Sequence, residues 1–278
     1  MPPTRTERAK EAELRSIVRG LGSVVLGLSG GVDSSLLADV CRDELGDRAV
    51  AVIARSPSLP RRELDTAREV ADTIGIEHVI VDTAEVADPR YAANPRNRCY
   101  FCKDELFTHL EHVAAERGFE TIAYGENLDD DGDHRPGRRA AIDHDVRAPL
   151  REAGLTKADV RRIARRLDLP VWDKPAFACL ASRFPYGTEI TPERLAQVDA
   201  AEQALFELGF EQFRVRYHGD VARIEVDPDH LDDVVARAGE VVDRVRAAGF
   251  AHVTLDLAGY RRGSLNRSGP ARTLPLTD

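Results

Sequence analysis

Hydrophobic positions fall into two alternating rhythms along the first part of the chain. Residues 5–21 place Leu14, Ile17, Val18 and Leu21 at helical spacing. Strand-like apolar runs then recur at 24–28, 50–54, 78–81 and 121–124, and helix-period patterns occupy 35–45, 61–74 and 103–117 between them. Such alternation predicts right-handed βαβ units, and so a parallel sheet with helices on both faces. A further helix is expected from Thr156 to Leu167, ended by Leu169-Pro170. Residues 174–191, with Pro175, Pro185 and Gly187, then read as a loop. Beyond them the order becomes helix (192–208), strands (213–217 and 222–226), helix (231–248) and strand (252–257). The chain is therefore expected to divide into an α/β domain over 1–175, a loop over 176–192 and a small second α/β domain over 193–278.

The first strand-to-helix junction carries the most chemistry. Ser29-Gly30-Gly31-Val32-Asp33-Ser34-Ser35 follows the run at 24–28 directly. Glycines permit a tight turn that gathers backbone N–H groups, and the helix beyond adds its positive end, which together cradle a phosphate chain. Asp33 is placed to hold the accompanying magnesium. The spacing and lysine of the Walker loop are missing. In parallel sheets ligands bind beyond the carboxyl ends of the strands, where this loop sits. A second loop at that end, from Gly125 through Asn127 to Asp129, Asp130, Asp131 and Asp133, reads either as a contributor to a magnesium or diphosphate site or as a solvated acidic turn. His134 and His144 lack zinc-ligand spacing and read as surface residues.

The cysteines are Cys41, Cys99, Cys102 and Cys179. Cys41 lies within the helix after the glycine loop and reads as packing. Cys99 and Cys102 form a C-x-x-C pair, which suits a redox couple, half of a zinc site or two iron–sulfur ligands. Cys179 lies between Lys174 and Arg183 and reads as a thiolate nucleophile or a buried small apolar residue. Arg214 and Arg216 alternate onto one face of the expected strand 213–217, where arginine forks suit a phosphate or a salt-bridged surface. Glu189 and Glu225 are either acid/base or metal groups or surface carboxylates.

Composition narrows the class. The 278 residues are 42% hydrophobic and 31% charged, with a net charge of −9. No broad basic face argues for nucleic acid. No apolar run approaches the length that spans a bilayer, and residues 1–5 lack a signal-peptide core, so a cytoplasmic location is expected. Only Lys10, Lys103, Lys157 and Lys174 are lysines; the other basic residues are arginine.

Six segments occur in the order Ser29–Ser35, Cys99-Tyr100-Phe101-Cys102-Lys103, Gly125-Glu126-Asn127, Asp133-His134-Arg135-Pro136-Gly137, Cys179-Leu180-Ala181-Ser182-Arg183-Phe184-Pro185-Tyr186-Gly187 and Gly259-Tyr260-Arg261-Arg262-Gly263-Ser264-Leu265-Asn266. Over about residues 5–267 the chain resembles the LarE family of PP-loop ATP pyrophosphatases, whose fold is adenine nucleotide alpha hydrolase-like. The resemblance implies that ATP adenylates a carboxylate of pyridinium-3,5-biscarboxylic acid mononucleotide, and that a sulfur nucleophile then attacks the activated carbon. It implies ATP contacts from Ser29, Gly30, Gly31, Val32, Ser34, Ser35, Gly125 and Asn127, with Mg2+ on Asp33. Cys179, Asp33, Ser182 and Arg183 would be catalytic, and Arg214, Arg216 and Arg261 would hold the substrate phosphate. In relatives with one such cysteine, the residue matching Cys179 gives up its own sulfur. This chain departs from them by adding Cys99 and Cys102, the complement that would hold a [4Fe–4S] cluster with one iron open. Cys179 is expected to face the glycine loop with Cys99 and Cys102 nearby. A small nucleotide substrate and a homo-oligomer are implied. A tRNA thiolase and an amide synthetase of the NAD- or GMP-synthetase type remain as alternatives, the former opposed by the charge.

Overall fold

The computed structural model describes residues 5–132, 136–175 and 178–261, in two compact units spanning 1–179 and 180–278. In the first unit the chain runs through α1 (Arg5–Gly20), β1 (Val24–Gly27), α2 (Val32–Leu45), β2 (Ala49–Arg55), α3 (Arg61–Ile74), β3 (Glu77–Asp82), α4 (Pro89–Ala92) and α5 (Arg98–Arg117). It continues through β4 (Thr121–Tyr124), α6 (Pro136–Asp143), α7 (Pro149–Glu152) and α8 (Lys157–Arg166). The four strands pair in the order β3-β2-β1-β4, all parallel.

The sheet buries both faces, as the uninterrupted apolar runs require. Successive side chains of β1 point to opposite sides. Val24 and Leu26 pack with Leu14, Val18, Leu36, Leu37, Val40, Val160 and Ile163 from α1, α2 and α8. Val25 packs instead with Phe107 and Leu110 of α5 and Ala140 and Ala141 of α6. The expected parallel sheet covered by helices on both faces is thus present. Cys41 is fully buried in the first of these cores, and that burial pushes its thiol up.

Two helices begin earlier than periodicity suggests. α2 starts at Val32 because Gly31 caps it in extended backbone and the Ser34 and Ser35 hydroxyls both donate to the Gly31 carbonyl. α5 starts at Arg98, so Cys99 and Cys102 belong to its first turns rather than preceding it. Arg98 is buried there and donates to Asn94 Oδ1, a contact that hydropathy does not report.

The second unit holds α9 (Pro192–Glu207), β5 (Phe213–His218), β6 (Val221–Val226), α10 (Leu231–Ala236), α11 (Ala238–Ala247) and β7 (His252–Leu255). β5 and β6 form an antiparallel hairpin, and β7 joins β6 in parallel. The helix expected over 231–248 is divided at Arg237, which leaves helical geometry while its guanidinium donates to the Leu208 carbonyl. The sequence motifs at 133–135 and 262–266, with His134, lie outside the described residues.

Candidate functional site

β1 delivers the glycine turn to the carboxyl edge of the sheet. Gly30 has a φ of +69°, which glycine adopts without strain, and a Cβ there would lie 3.0 Å from the backbone nitrogen of Ala67. The Ser34 hydroxyl accepts from the Ser29 N–H at 3.2 Å, and the two serine hydroxyls lie 3.1 Å apart. These bonds fold the turn onto the first turn of α2, whose N–H groups have no intrahelical acceptor and present positive dipole to an anion.

Gly125 allows a second close approach. A Cβ on it would sit 2.6 Å from the backbone nitrogen of Ser34, so its lack of a side chain lets the loop after β4 press against the glycine turn. That brings Asn127 to Asp33: Asn127 Nδ2 donates to Asp33 Oδ1 at 3.0 Å. Asn127 is itself held, its Oδ1 accepting from the Asp129 N–H and its own N–H donating to Asp130 Oδ2.

Sequence reasoning missed Lys157, the first residue of α8. Its ammonium donates to Asp33 Oδ2, and its backbone N–H donates to Asp129 Oδ2 at 2.9 Å. A Thr156–Asp159 capping box fixes the helix start that places it. Lys174 also reaches this loop, donating to the Gly30 carbonyl at 3.3 Å and to Glu63 Oε2 at 2.8 Å. The assembly offers backbone amides to phosphate, oxygen donors to a hard cation and a lysine ammonium beside them.

The cysteines converge at the same edge of this unit. The Cys102 thiol is pushed up by burial, by Glu85 and by Cys179, with Lys103 pulling the other way and Cys99 adding a smaller push. Tyr91 on α4 is 1% exposed. Burial, then Cys179, Cys102 and Glu85, keep its phenol neutral. Glu85 is also buried, with Oε1 accepting from Ser58 Oγ at 2.9 Å and from Ser56 Oγ. Cys99 is exposed and Cys179 partly so. Among the described residues no three His, Cys, Asp or Glu side chains are already arranged as a metal site.

The second unit gathers a different set. Among the described residues its buried charged side chains are Arg183, Arg214, Arg216, Glu202 and Glu225. Arg183 is 0% exposed and donates to both oxygens of Glu202 at 2.8 Å and to the Ser182 hydroxyl. An arginine read from sequence as a catalytic neighbour of Cys179 is thus half of a buried ion pair. Arg216 donates to Glu225 Oε2 at 2.7 Å and to the Ser182 carbonyl at 2.8 Å. Glu225 is therefore an interior partner, while Glu189 is exposed beside Arg194. Arg214 lies 5.0 Å from the Tyr260 ring centroid. Burial, with Arg183 beside it, lowers its guanidinium to about 10. Three buried guanidiniums against two buried carboxylates leave this interior electropositive. Arg261 is exposed.

Comparison with known proteins follows the same lines. Residues 8–98 match the NAD synthase family. The chain is 48% identical to an uncharacterized protein of Synechocystis sp., over 93% of this chain and 97% of that one. It is 36% identical to the pyridinium-3,5-bisthiocarboxylic acid mononucleotide synthase of Lactiplantibacillus plantarum, over 94% of this chain and 95% of that enzyme. A shorter match, 30% identical over 55% of this chain and 44% of the relative, reaches the tRNA-specific 2-thiouridylase MnmA of Beijerinckia indica.

Proposed function

The chain belongs to the LarE family, that of the pyridinium-3,5-bisthiocarboxylic acid mononucleotide synthases, and from that premise we propose how its residues carry the reaction. It is an ATP-dependent sulfur transferase. ATP lies with its phosphates on the turn Ser29–Ser35 and the N-terminus of α2. Asp33, with the oxygen-rich loop of Asn127 and Asp129, would hold Mg2+, and Lys157 balances charge as it develops on the phosphates. A carboxylate of the pyridinium mononucleotide attacks the α-phosphorus, and pyrophosphate leaves. The acyl-adenylate then has AMP as leaving group, and a sulfur nucleophile displaces it to give the thiocarboxylate. The electropositive interior around Arg214 and Arg216, with the exposed Arg261, supplies cations for the substrate's phosphate.

The observation that carries our reading of the sulfur source is the shared surroundings of Cys99, Cys102 and Cys179. Three thiols in one neighbourhood fit the ligand set of a [4Fe–4S] cluster, although holding one requires the sulfurs to close around it. When bound there, the cluster would supply an open iron for sulfide. Cys99, Cys102 and Cys179 would hold it, and Lys103 beside them offsets the charge of their thiolates.

Anaerobic reconstitution tests this directly. Wild-type protein should take up iron and gain a broad visible absorption, and Cys99→Ala should lose both. Unchanged mass after turnover is expected; loss of one molecule of hydrogen sulfide from spent protein would make Cys179 itself the donor. Cys179→Ala should abolish thiocarboxylate formation, whereas retained activity would point to an amide synthetase. A cytoplasmic location and a homo-oligomer complete the proposal; among the described residues no helix is long and apolar enough to cross a membrane.

A further inference from the structure

Two buried polar atoms of the first unit lie near the cysteines. Glu85 Oε2 and the Tyr91 hydroxyl are both buried and neither has a hydrogen-bond partner. Ser58 lies close enough to the Tyr91 phenol to act on it, but its hydroxyl and that of Ser56 both donate to the other Glu85 oxygen. Burying a donor and an acceptor unpaired costs stability, and native interiors do so rarely. The two groups interact electrostatically with each other and with the cysteines: Tyr91 with Cys179, Cys102 and Glu85, and Cys102 with Glu85. Ser56 and Ser58 follow β2 and Glu85 follows β3, so the group lies beyond the carboxyl ends of the parallel strands, where such sheets bind ligands.

A ligand that satisfies both atoms must accept from a phenol and donate to a carboxyl oxygen, and it must suit a place among thiols. Protonated sulfide, as hydrogen sulfide or the hydrosulfide anion, does this through one heavy atom. We propose that Tyr91 and Glu85 bind the inorganic sulfide destined for transfer, Tyr91 donating to its sulfur and Glu85 Oε2 accepting from its S–H. The inference rests on the sulfur-transferase reading, but not on the cluster. Both side chains are positioning residues: they hold the sulfide and make no bond to the acyl carbon.

The test uses the full chain, purified anaerobically and reconstituted with iron, in equilibrium dialysis against labelled sulfide, with iron content and thermal unfolding measured in parallel. Tyr91→Phe should weaken sulfide binding roughly tenfold or more, the effect of one lost buried hydrogen bond. Its iron content should match wild type, and it should melt no lower, because the hydroxyl removed has no partner. Glu85→Gln, which keeps an oxygen for both serines, should weaken binding likewise. Unchanged sulfide affinity in both variants would overturn the proposal, as would a wild type that retains no sulfide or a bound water that sulfide does not displace. A lower melting point with matching loss of iron would assign both residues a structural role instead. If wild type takes up no iron yet binds sulfide in a Tyr91-dependent way, the cluster reading fails and this one stands.

Discussion

Lysine is rare enough in this chain that its positions are informative. Of the four, Lys157 contacts Asp33, Lys174 contacts the Gly30 carbonyl, and Lys103 borders Cys102. An ammonium is a compact point charge that can pass from a carboxylate to a phosphate, a task less suited to the planar arginine fork. Lys157→Ala should therefore reduce ATP–pyrophosphate exchange by roughly 100-fold, the scale of one lost charge-stabilising donor. Lys157→Arg should recover part of that loss, and both variants should melt near wild type because the side chain is partly exposed. Exchange at the wild-type rate in Lys157→Ala would remove the lysine from the adenylation machinery. Asp33 itself was legible from its place after two glycines, since that motif is local. Lys157 was not, because its contact spans 124 positions and its own neighbourhood shows only a helix cap. The partner of Arg183 was not legible for the converse reason: proximity to Cys179 in sequence says nothing of Glu202, with which it is buried.

At the scale of elements, α2 carries the glycine turn at one end and a half-buried carboxyl farther along. Asp39 is half-buried, and burial together with Asp43 raises it to about 6, with Arg15 opposing. The unfolded chain ionises this group near 3.8, so folding with a charged Asp39 is penalised in full above about 6, and the penalty fades as pH falls toward the unfolded value. Asp39→Asn, which mimics the protonated form, should raise the melting temperature at neutral pH. That gain should shrink through the pH 6 to 4 window and vanish in stronger acid, as unfolding curves across pH would record. A gain independent of pH would mean that charge is not the cause. The sheet and its helices were readable because burial on both faces writes unbroken apolar runs, as Val24, Val25 and Leu26 show. The break at Arg237 and the start of α5 at Arg98 were not, because each depends on one arginine reaching an acceptor that periodicity does not encode.

For the whole molecule, charge separates the pyridinium mononucleotide from tRNA as acceptor. The net charge of −9 repels a polyanion, and of the arginines that could bind phosphate in the second unit Arg261 is exposed, while Arg214 and Arg216 are interior. Arg183 and Arg216 bond Glu202 and Glu225 there, so they cannot form the exposed basic track on which non-specific RNA affinity depends. A single phosphate can be accommodated by one or two such cations, whereas a tRNA backbone needs many at the surface. The match to a thiouridylase covers 44% of that relative, which leaves more than half of it without counterpart in the match. Filter binding with total tRNA should therefore show no retention at physiological salt, and only weak retention when salt is lowered. Tight retention that weakens steeply with salt, by about 0.7 in log affinity per log salt for each single-strand phosphate neutralised, would instead reveal a polyanion track and favour a tRNA acceptor.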